Sequence, residues 1–444
     1  MNEDLSSLIA SPGFDCPCGQ HHAARLKALI LESGALRRIP GLVASYRKKK
    51  VFILTDKNEY AAAGEALCAI LRDTGIPYSL YIFPQDHLEP DEAAVGSAMM
   101  HFDTDCDLIL GVGSGVVNDI GKILSHLTGR AYMIAATAPS MDGYASSTSS
   151  MVRDGLKVSL NSLCPACIIA DLDVLCAAPD RLLQSGLGDM VAKYIALCEW
   201  RIAGELVGEH YCPSVAKMVM DAVNKCVANA PGLARREPEA LRAVMEGLVV
   251  TGIAMSYVGI SRPASGMEHY FSHIWDMRGL AFSAPTDTHG IQCGVGTLLS
   301  IRVYDAIHAM TPNREKALAY AAAFDREDWN HRLRTFIGPG AEAMIAGEKK
   351  EGKYDLAAHR LRLDRIISKW DAIQAIIAGT IPPYETVERA LKIVGAPTLP
   401  AQLGLTGQEV KTAFLMTKDI RDKYIASRLL WDLGVLEETA ENVL

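Results

Sequence analysis

Residues 108–127 read LILGVGSGVVNDIGKILSHL. Six residues of apolar and glycine character are followed by a glycine-punctuated turn, then by apolar residues at helical spacing. The stretch therefore runs strand, glycine loop, helix. Working outward, the same grammar repeats through the first 175 residues. Further candidate strands are VFILTD (51–56), YSLYIF (78–83), YMIAATA (132–138) and CIIADL (167–172), with helical segments such as YAAAGEALCAILRDTG (60–75) between them. Their near-continuous apolar character suits strands of a parallel sheet covered on both faces. The expected architecture is a doubly wound α/β domain. Strand signals stop after about residue 178, beyond the turn CAAPDR (176–181). Long helix-period segments follow, such as 182–203 and 238–257, so an all-α domain is expected over 178–444, after an α/β domain over 1–177. The Gly- and Lys-rich stretch 338–355 reads as an exposed excursion, and EKKEGK (348–353) as a solvated charge run.

The chain has 444 residues, which suggests two or three domains, and 49% hydrophobic residues suffice for large cores. A net charge of −8 and a pI of about 5.9 offer no basic face for nucleic acid. The start, MNEDLSSLIASPGF, lacks the charged-then-apolar order of a signal peptide. The apolar stretch 247–260 looks too short and too rich in Gly and Ser to span a membrane, and reads as a buried helix. Eleven cysteines, an odd number spread along the chain, suit reduced thiols and a cytoplasmic location.

The chemistry begins at the glycine loop. Gly111, Gly113 and Gly115 let the backbone turn sharply and approach a ligand. The following helix offers free N–H groups and its positive dipole end, which favour a diphosphate. The third glycine falls too early for GxGxxG, so a plain strand-to-helix turn is an equal reading. Asp56, at a strand end, suits an adenosine ribose and would repel a 2′-phosphate, favouring NAD over NADP; a helix N-cap is the alternative. The polar loop TAPSMDGYASSTSS (137–150) follows a strand, where open α/β sheets bind ligands. There Thr137, Ser140 and Ser146 can meet a cofactor and Asp142 can hold substrate hydroxyls, against the alternative of a Ser-rich surface turn. Further on, Asp189, His269, His273 and His289 offer one carboxylate and two or three imidazoles, a donor set for Zn²⁺ or a similar ion. His269 and His273 lie four apart, but Glu268 precedes the pair, so this is not HExxH, and surface or core histidines remain an open reading.

Five motifs in order, GVGSGVVND, TAPSMDGYASS, GLGDMVAKY, SRPASGMEHYFSHIWDM and THGIQCGVGTL, resemble the sn-glycerol-1-phosphate dehydrogenases, and within them the bacterial AraM-like branch. The wider superfamily includes glycerol dehydrogenases, iron-dependent alcohol dehydrogenases and dehydroquinate synthases. The resemblance covers roughly residues 50 to 300 and implies a nucleotide-binding domain, a helical domain and a metal-dependent active site. It implies Asp189, His269 and His289 as metal ligands, with zinc or nickel as the metal. Asp142 and His273 match substrate contacts. Asp56, the loop Gly113, Gly115, Val116, Val117, Asn118 and Asp119, the run Thr137, Ala138, Pro139 and Ser140, and Ser146 match NAD or NADP contacts. Ile291 and Cys293 depart from the Glu and Val common in relatives.

The reaction implied is reversible reduction of dihydroxyacetone phosphate to sn-glycerol 1-phosphate. The metal polarises the C2 oxygen and the nicotinamide exchanges the hydride. His273 then serves as proton donor or hydroxyl contact, and Asp142 assists. Lys193 is the first candidate for the substrate phosphate and Arg262 the second, each also readable as an ordinary salt-bridge partner, with Lys157 a third. Partners are expected to be a small phosphorylated substrate and further copies of the chain, with no nucleic acid and no membrane insertion. Rival readings are a glycerol or alcohol dehydrogenase, a dehydroquinate synthase-like lyase, and a non-catalytic nucleotide- or sugar-phosphate-binding protein. Cys16, Cys18, His21 and His22 in CPCGQHH, with Cys164 and Cys167, invite a second, structural zinc, but C-x-C beside H-H is not a standard finger spacing and small buried cysteines are the favoured alternative.

Overall fold

A computed structural model of the chain describes residues 5–153 and 156–444. Residues 1–4, part of the start read against a signal peptide, lie outside the described residues. The chain divides into two compact units. One comprises 1–190 with 221–260, the other 191–220 with 261–444.

The first unit is built on a six-stranded, all-parallel sheet. Its order is Ala28–Glu32, Cys167–Asp171, Ala131–Ala136, Leu108–Gly113, Val51–Asp56, Tyr78–Phe83. The central strands are buried along their length, which is why they read as continuous apolar runs. Val51, Ile53, Leu108, Leu110 and Met133 pack with Leu67 and Leu71 of the helix Glu65–Asp73 to form the core on one face. The edge strand Ala28–Glu32 was not among the expected strands. The polar loop after Ala136 leads into an antiparallel hairpin, Thr148–Arg153 with Leu156–Asn161, where the sequence suggested loop. The strand pattern ends at Asp171, close to the expected change at 177/178, but helical segments return to this unit. On the helix Pro238–Val258, Arg242 donates to the Leu31 carbonyl at 2.6 Å. A side chain at Gly252 would meet Ala145 at 2.9 Å. That helix has 21 residues, longer than the 247–260 stretch, and is the one helix among the described residues long and apolar enough to cross a membrane. Its apolar window is 67% buried, as a core helix requires.

The second unit is helical. The segment expected as one helix over 182–203 is two, Asp180–Val191 and Lys193–Val207, so the break falls where the two units divide. The stretch 338–355 is not an exposed excursion. It forms a short 3-10 turn and the helix Ala341–Glu351, which buries Ala341, Met344 and Ile345. Glu348 and Lys353 are buried too, and Lys353 donates to the Arg421 carbonyl at 2.6 Å. The charge run is therefore partly an interior one.

Candidate active site

In the first unit, the strand order reverses between Val51–Asp56 and Leu108–Gly113. Ligands bind at the carboxyl ends of strands at such a switch point. The glycine loop lies there. A Cβ on Gly113 would sit 2.6 Å from Val117 Cβ, so only glycine lets the helix Gly115–Thr128 start so close to its strand. Ser114 provides no side-chain cap, which leaves the first amides of this helix for a ligand. Asp56 caps the short helix Lys57–Glu59, its Oδ1 accepting from Glu59 N–H at 2.8 Å. Glu59, which the sequence did not flag, accepts from Ser114 N–H at 3.2 Å and from the Thr137 hydroxyl. Burial pushes the Glu59 carboxyl up, against the lowering effect of the Thr137 hydrogen bond.

The loop 137–150 is not a surface turn. Thr137, Ala138, Pro139, Ser140, Asp142 and Ser146 are all buried. Lys122, also missed, organises it from the glycine-loop helix. Its buried ammonium lies 3.0 Å from Asp119 Oδ1 and donates to the Gly143 carbonyl at 3.0 Å, Ser146 Oγ at 3.2 Å and the Thr148 carbonyl at 2.6 Å. Asn118 donates to the Gly143 carbonyl at 3.3 Å and accepts from the Tyr132 hydroxyl at 3.4 Å. Asn118, Asp119 and Ser146 thus brace the loop with their side chains. Gly186 lets the next helix approach, since a Cβ there would lie 1.8 Å from the Pro139 carbonyl oxygen. Asp142 and Asp189 meet at the loop's end, where Asp142 N–H donates to Asp189 Oδ2 at 2.9 Å. Both side chains are buried.

In the second unit, His269 lies on the helix Met267–Phe282 and His289 opens the helix His289–His308. Their ring centroids are 4.9 Å apart. A Cβ on Gly296 would sit 2.6 Å from the Glu268 carbonyl oxygen, so glycine permits this close packing of the two helices. His269 Nδ1 lies 2.8 Å from Glu268 Oε1, which assigns the ring proton to Nδ1 and leaves Nε2 as a donor atom. His289 Nδ1 lies 3.1 Å from Ser272 Oγ, a hydroxyl that also accepts from Gln292 at 3.1 Å. His269, His289 and Cys293 offer donor atoms within 4.8 Å of one another. Cys293, noted in the sequence only as a departure, is therefore part of this cluster, with its Sγ 3.6 Å from His289 Nε2. His273, one turn on from His269 and half-buried, stacks at 6.0 Å on His289. Glu199 fixes the start of the His269 helix by accepting from Met267 N–H at 2.9 Å. Burial, reinforced by the nearby Glu268 charge, raises its carboxyl well above the usual range.

The expected phosphate cations divide. Arg262 is buried and committed: Nε donates to Glu209 Oε1 at 2.7 Å, Nη2 pairs with the same carboxylate, and Nη1 donates to the Tyr424 carbonyl at 3.1 Å. A phosphate would have to displace a two-pronged carboxylate to reach Arg262. Lys193 is buried and donates to the Ala264 carbonyl at 3.1 Å. Lys157 lies half-buried on the hairpin strand Leu156–Asn161 of the first unit. Lys423, missed by the sequence reading, donates to the carbonyls of Ser261 and Ser265 at 3.1 and 2.8 Å. Burial, with Arg262 and Arg421 nearby, lowers its ammonium to about 7.

Comparison with known proteins identifies the family. The family model for iron-containing alcohol dehydrogenase matches residues 30–179. A glycerol-1-phosphate dehydrogenase (NAD(P)+) from Geobacillus thermodenitrificans is 30% identical over 310 residues, 69% of this chain and 76% of the relative. One from Halalkalibacterium halodurans is 28% identical over 413 residues, 92% of this chain and 93% of the relative. Among solved structures, glycerol dehydrogenase from Schizosaccharomyces pombe superposes with a TM-score of 0.59 at 16% identity, over 94% of this chain and 90% of that one, a likeness of fold alone. The chain belongs to the glycerol-1-phosphate dehydrogenase (NAD(P)+) family of oxidoreductases.

Proposed function

We propose that the protein interconverts sn-glycerol 1-phosphate and dihydroxyacetone phosphate, using a nicotinamide dinucleotide and one divalent metal. The observation that carries the reading is the anchored imidazole pair. His269 and His289 sit on closely packed helices, each with Nδ1 beside a side-chain oxygen. Nitrogen donors beside a thiol fit a borderline divalent ion, so His269 and His289 are assigned as ligands, with zinc or nickel as the metal. Asp189 joins this set on its motif alone. A bound ion of this kind supplies Lewis acidity to a ketone or alcohol oxygen, and the nicotinamide supplies or accepts the hydride.

The chain's own groups do the rest. Glu268 orients His269. His273, one turn from His269, exchanges a proton with the substrate oxygen through its imidazole. Asp142 holds substrate hydroxyls. For the dinucleotide, the amides of Gly115, Val116 and Val117 receive the diphosphate, while Thr137 to Ser140 line it. With Oδ1 of Asp56 committed to the helix cap, Oδ2 is assigned to the ribose, which favours NAD over NADP. Lys193 is the cation assigned to the substrate phosphate. One observation favours a second reading, a dehydrogenase of an unphosphorylated polyol: the Glu209 carboxylate occupies Arg262 and removes a cation from the phosphate.

The test loads the protein with zinc or nickel and follows NADH absorbance on addition of dihydroxyacetone phosphate. Consumption of NADH that a chelator abolishes is expected. A metal-loaded protein that consumes no NADH would contradict the assignment.

A further inference from the structure

The first unit holds a second cluster of metal-binding side chains, in the segment CPCGQHH. Phe14–Asp15 and His21–His22 pair as a small antiparallel hairpin, with Phe14 opposite His22. The turn between them is tight. Cys16 N–H donates to the Gln20 carbonyl and Gly19 N–H to the Cys16 carbonyl, both at 2.9 Å, and Gly19 takes a φ of +88° that its lack of a Cβ allows. This turn places Cys18 Sγ 3.4 Å from His22 Nε2. The donor atoms of Cys16, Cys18 and His22 all lie within 4.8 Å of one another. In a tetrahedral zinc site with Zn–S of ~2.3 Å and Zn–N of ~2.0 Å, a sulfur and a nitrogen ligand lie roughly 3.6 Å apart. The hairpin is thus already close to ligand geometry.

The surroundings of His22 match those of a ligand. It is fully buried, and its Nδ1 lies 3.1 Å from the Tyr257 carbonyl oxygen. That contact puts the ring proton on Nδ1 and aims the Nε2 lone pair at the thiols, as a carbonyl does for metal-bound histidines elsewhere. The ring stacks on Tyr257 at 5.3 Å, and Phe14 packs edge-on against both. His21 takes no part: it is exposed and bonds Asp15 at 2.8 Å.

We infer that Cys16, Cys18 and His22 bind a structural zinc ion, with one further donor completing the tetrahedron, and that this ion pins the N-terminal hairpin to the helix Pro238–Val258. Two thiolates and an imidazole select zinc among common divalent ions. The site is separate from the histidine cluster of the other unit and does not depend on the activity proposed above.

The test is metal analysis of the whole protein with cobalt(II) substitution as an optical reporter. Cys16→Ser/Cys18→Ser should lose one metal equivalent per chain relative to wild type. In a Cys293→Ser background it should also lose the thiolate-to-cobalt charge-transfer absorption. The Cys293→Ser protein should keep that absorption, since Cys293 belongs to the other cluster, and so should His269→Ala/His289→Ala. Equal metal content in wild type and the double cysteine variant would overturn the inference. If the double variant does not fold, the Cys293→Ser protein decides: cobalt absorption without a thiolate band would overturn the inference as well.

Discussion

At the scale of single residues, the two helical histidines take different roles. His269 has its Nδ1 taken by Glu268, while His273 stands one turn along the same helix and stacks on His289. Glu268→Gln should weaken metal binding about 10- to 100-fold, the usual effect of removing an outer partner of a ligand histidine. Competition with a chromophoric chelator measures it, and an unchanged affinity would place the metal elsewhere. His273→Ala should retain its metal but lose turnover, on the order of 10²- to 10⁴-fold for a proton-transfer group. Metal loss in that variant would instead make His273 a ligand. The motif residues stand out in the sequence because their types suit one chemistry. Their bonding partners were not. The Glu209 that holds Arg262 and the Glu59 that meets the glycine loop carry no local signal, since each is an ordinary glutamate until the fold brings it to its partner. Lys418 offers a separate test away from the site. It is buried against Trp329 with Asp419 beside it, and burial lowers its ammonium from 10.5 to about 8. Between those two values the unfolded chain holds the proton and the folded one does not, so Lys418 makes stability rise with pH across that window, by up to about 1.4 kcal/mol per unit. Denaturant unfolding of wild type and Lys418→Met should therefore show the wild-type advantage growing from about pH 8 upward. A constant difference would show that the lysine stays charged.

At the scale of elements, the two histidine helices depend on Gly296. Alanine there would gain about 1 kcal/mol of helix propensity. Its Cβ would however sit 2.6 Å from the Glu268 carbonyl oxygen, a backbone atom that cannot swing aside. Overpacking of that kind costs typically 1–3 kcal/mol, so the clash wins or at least cancels the gain. Gly296→Ala should lower the melting temperature and weaken metal binding together, because the same shift separates His269 from His289. A more stable variant with full metal affinity would refute the packing argument. The central strands were legible because burial on both faces leaves no polar side to confuse the pattern. The edge strand Ala28–Glu32 was not, because ALILE is composed of good helix formers and becomes a strand through pairing with Cys167–Asp171, far along the chain. The hairpin Thr148–Arg153 with Leu156–Asn161 was missed for a similar reason: its Ser and Thr content reads as loop until a partner strand is present. Nor does the charge run 348–353 declare that Glu348 and Lys353 face inward, because helical phase decides it.

At the scale of the whole molecule, a parallel-sheet unit carries the glycine loop, Asp142 and Asp189, and a helical unit carries His269, His273 and His289. The order of motifs along the sequence made this division of labour readable. The interleaving of the units was not, since the helix Pro238–Val258 returns to the first unit through contacts such as Arg242 to Leu31. Phosphate is the sharpest feature of the substrate. A cation that meets the substrate phosphate adds selectivity, because the analogue lacking the phosphate forgoes that charge-assisted contact. The most direct measurement is kcat/KM for oxidation of sn-glycerol 1-phosphate against glycerol, on the same metal-loaded protein with NAD. A preference of at least about 10²-fold for the phosphorylated substrate is expected, the order that follows when one charge-assisted contact is lost. Equal rates on the two substrates would contradict it and leave an unphosphorylated-polyol dehydrogenase in its place.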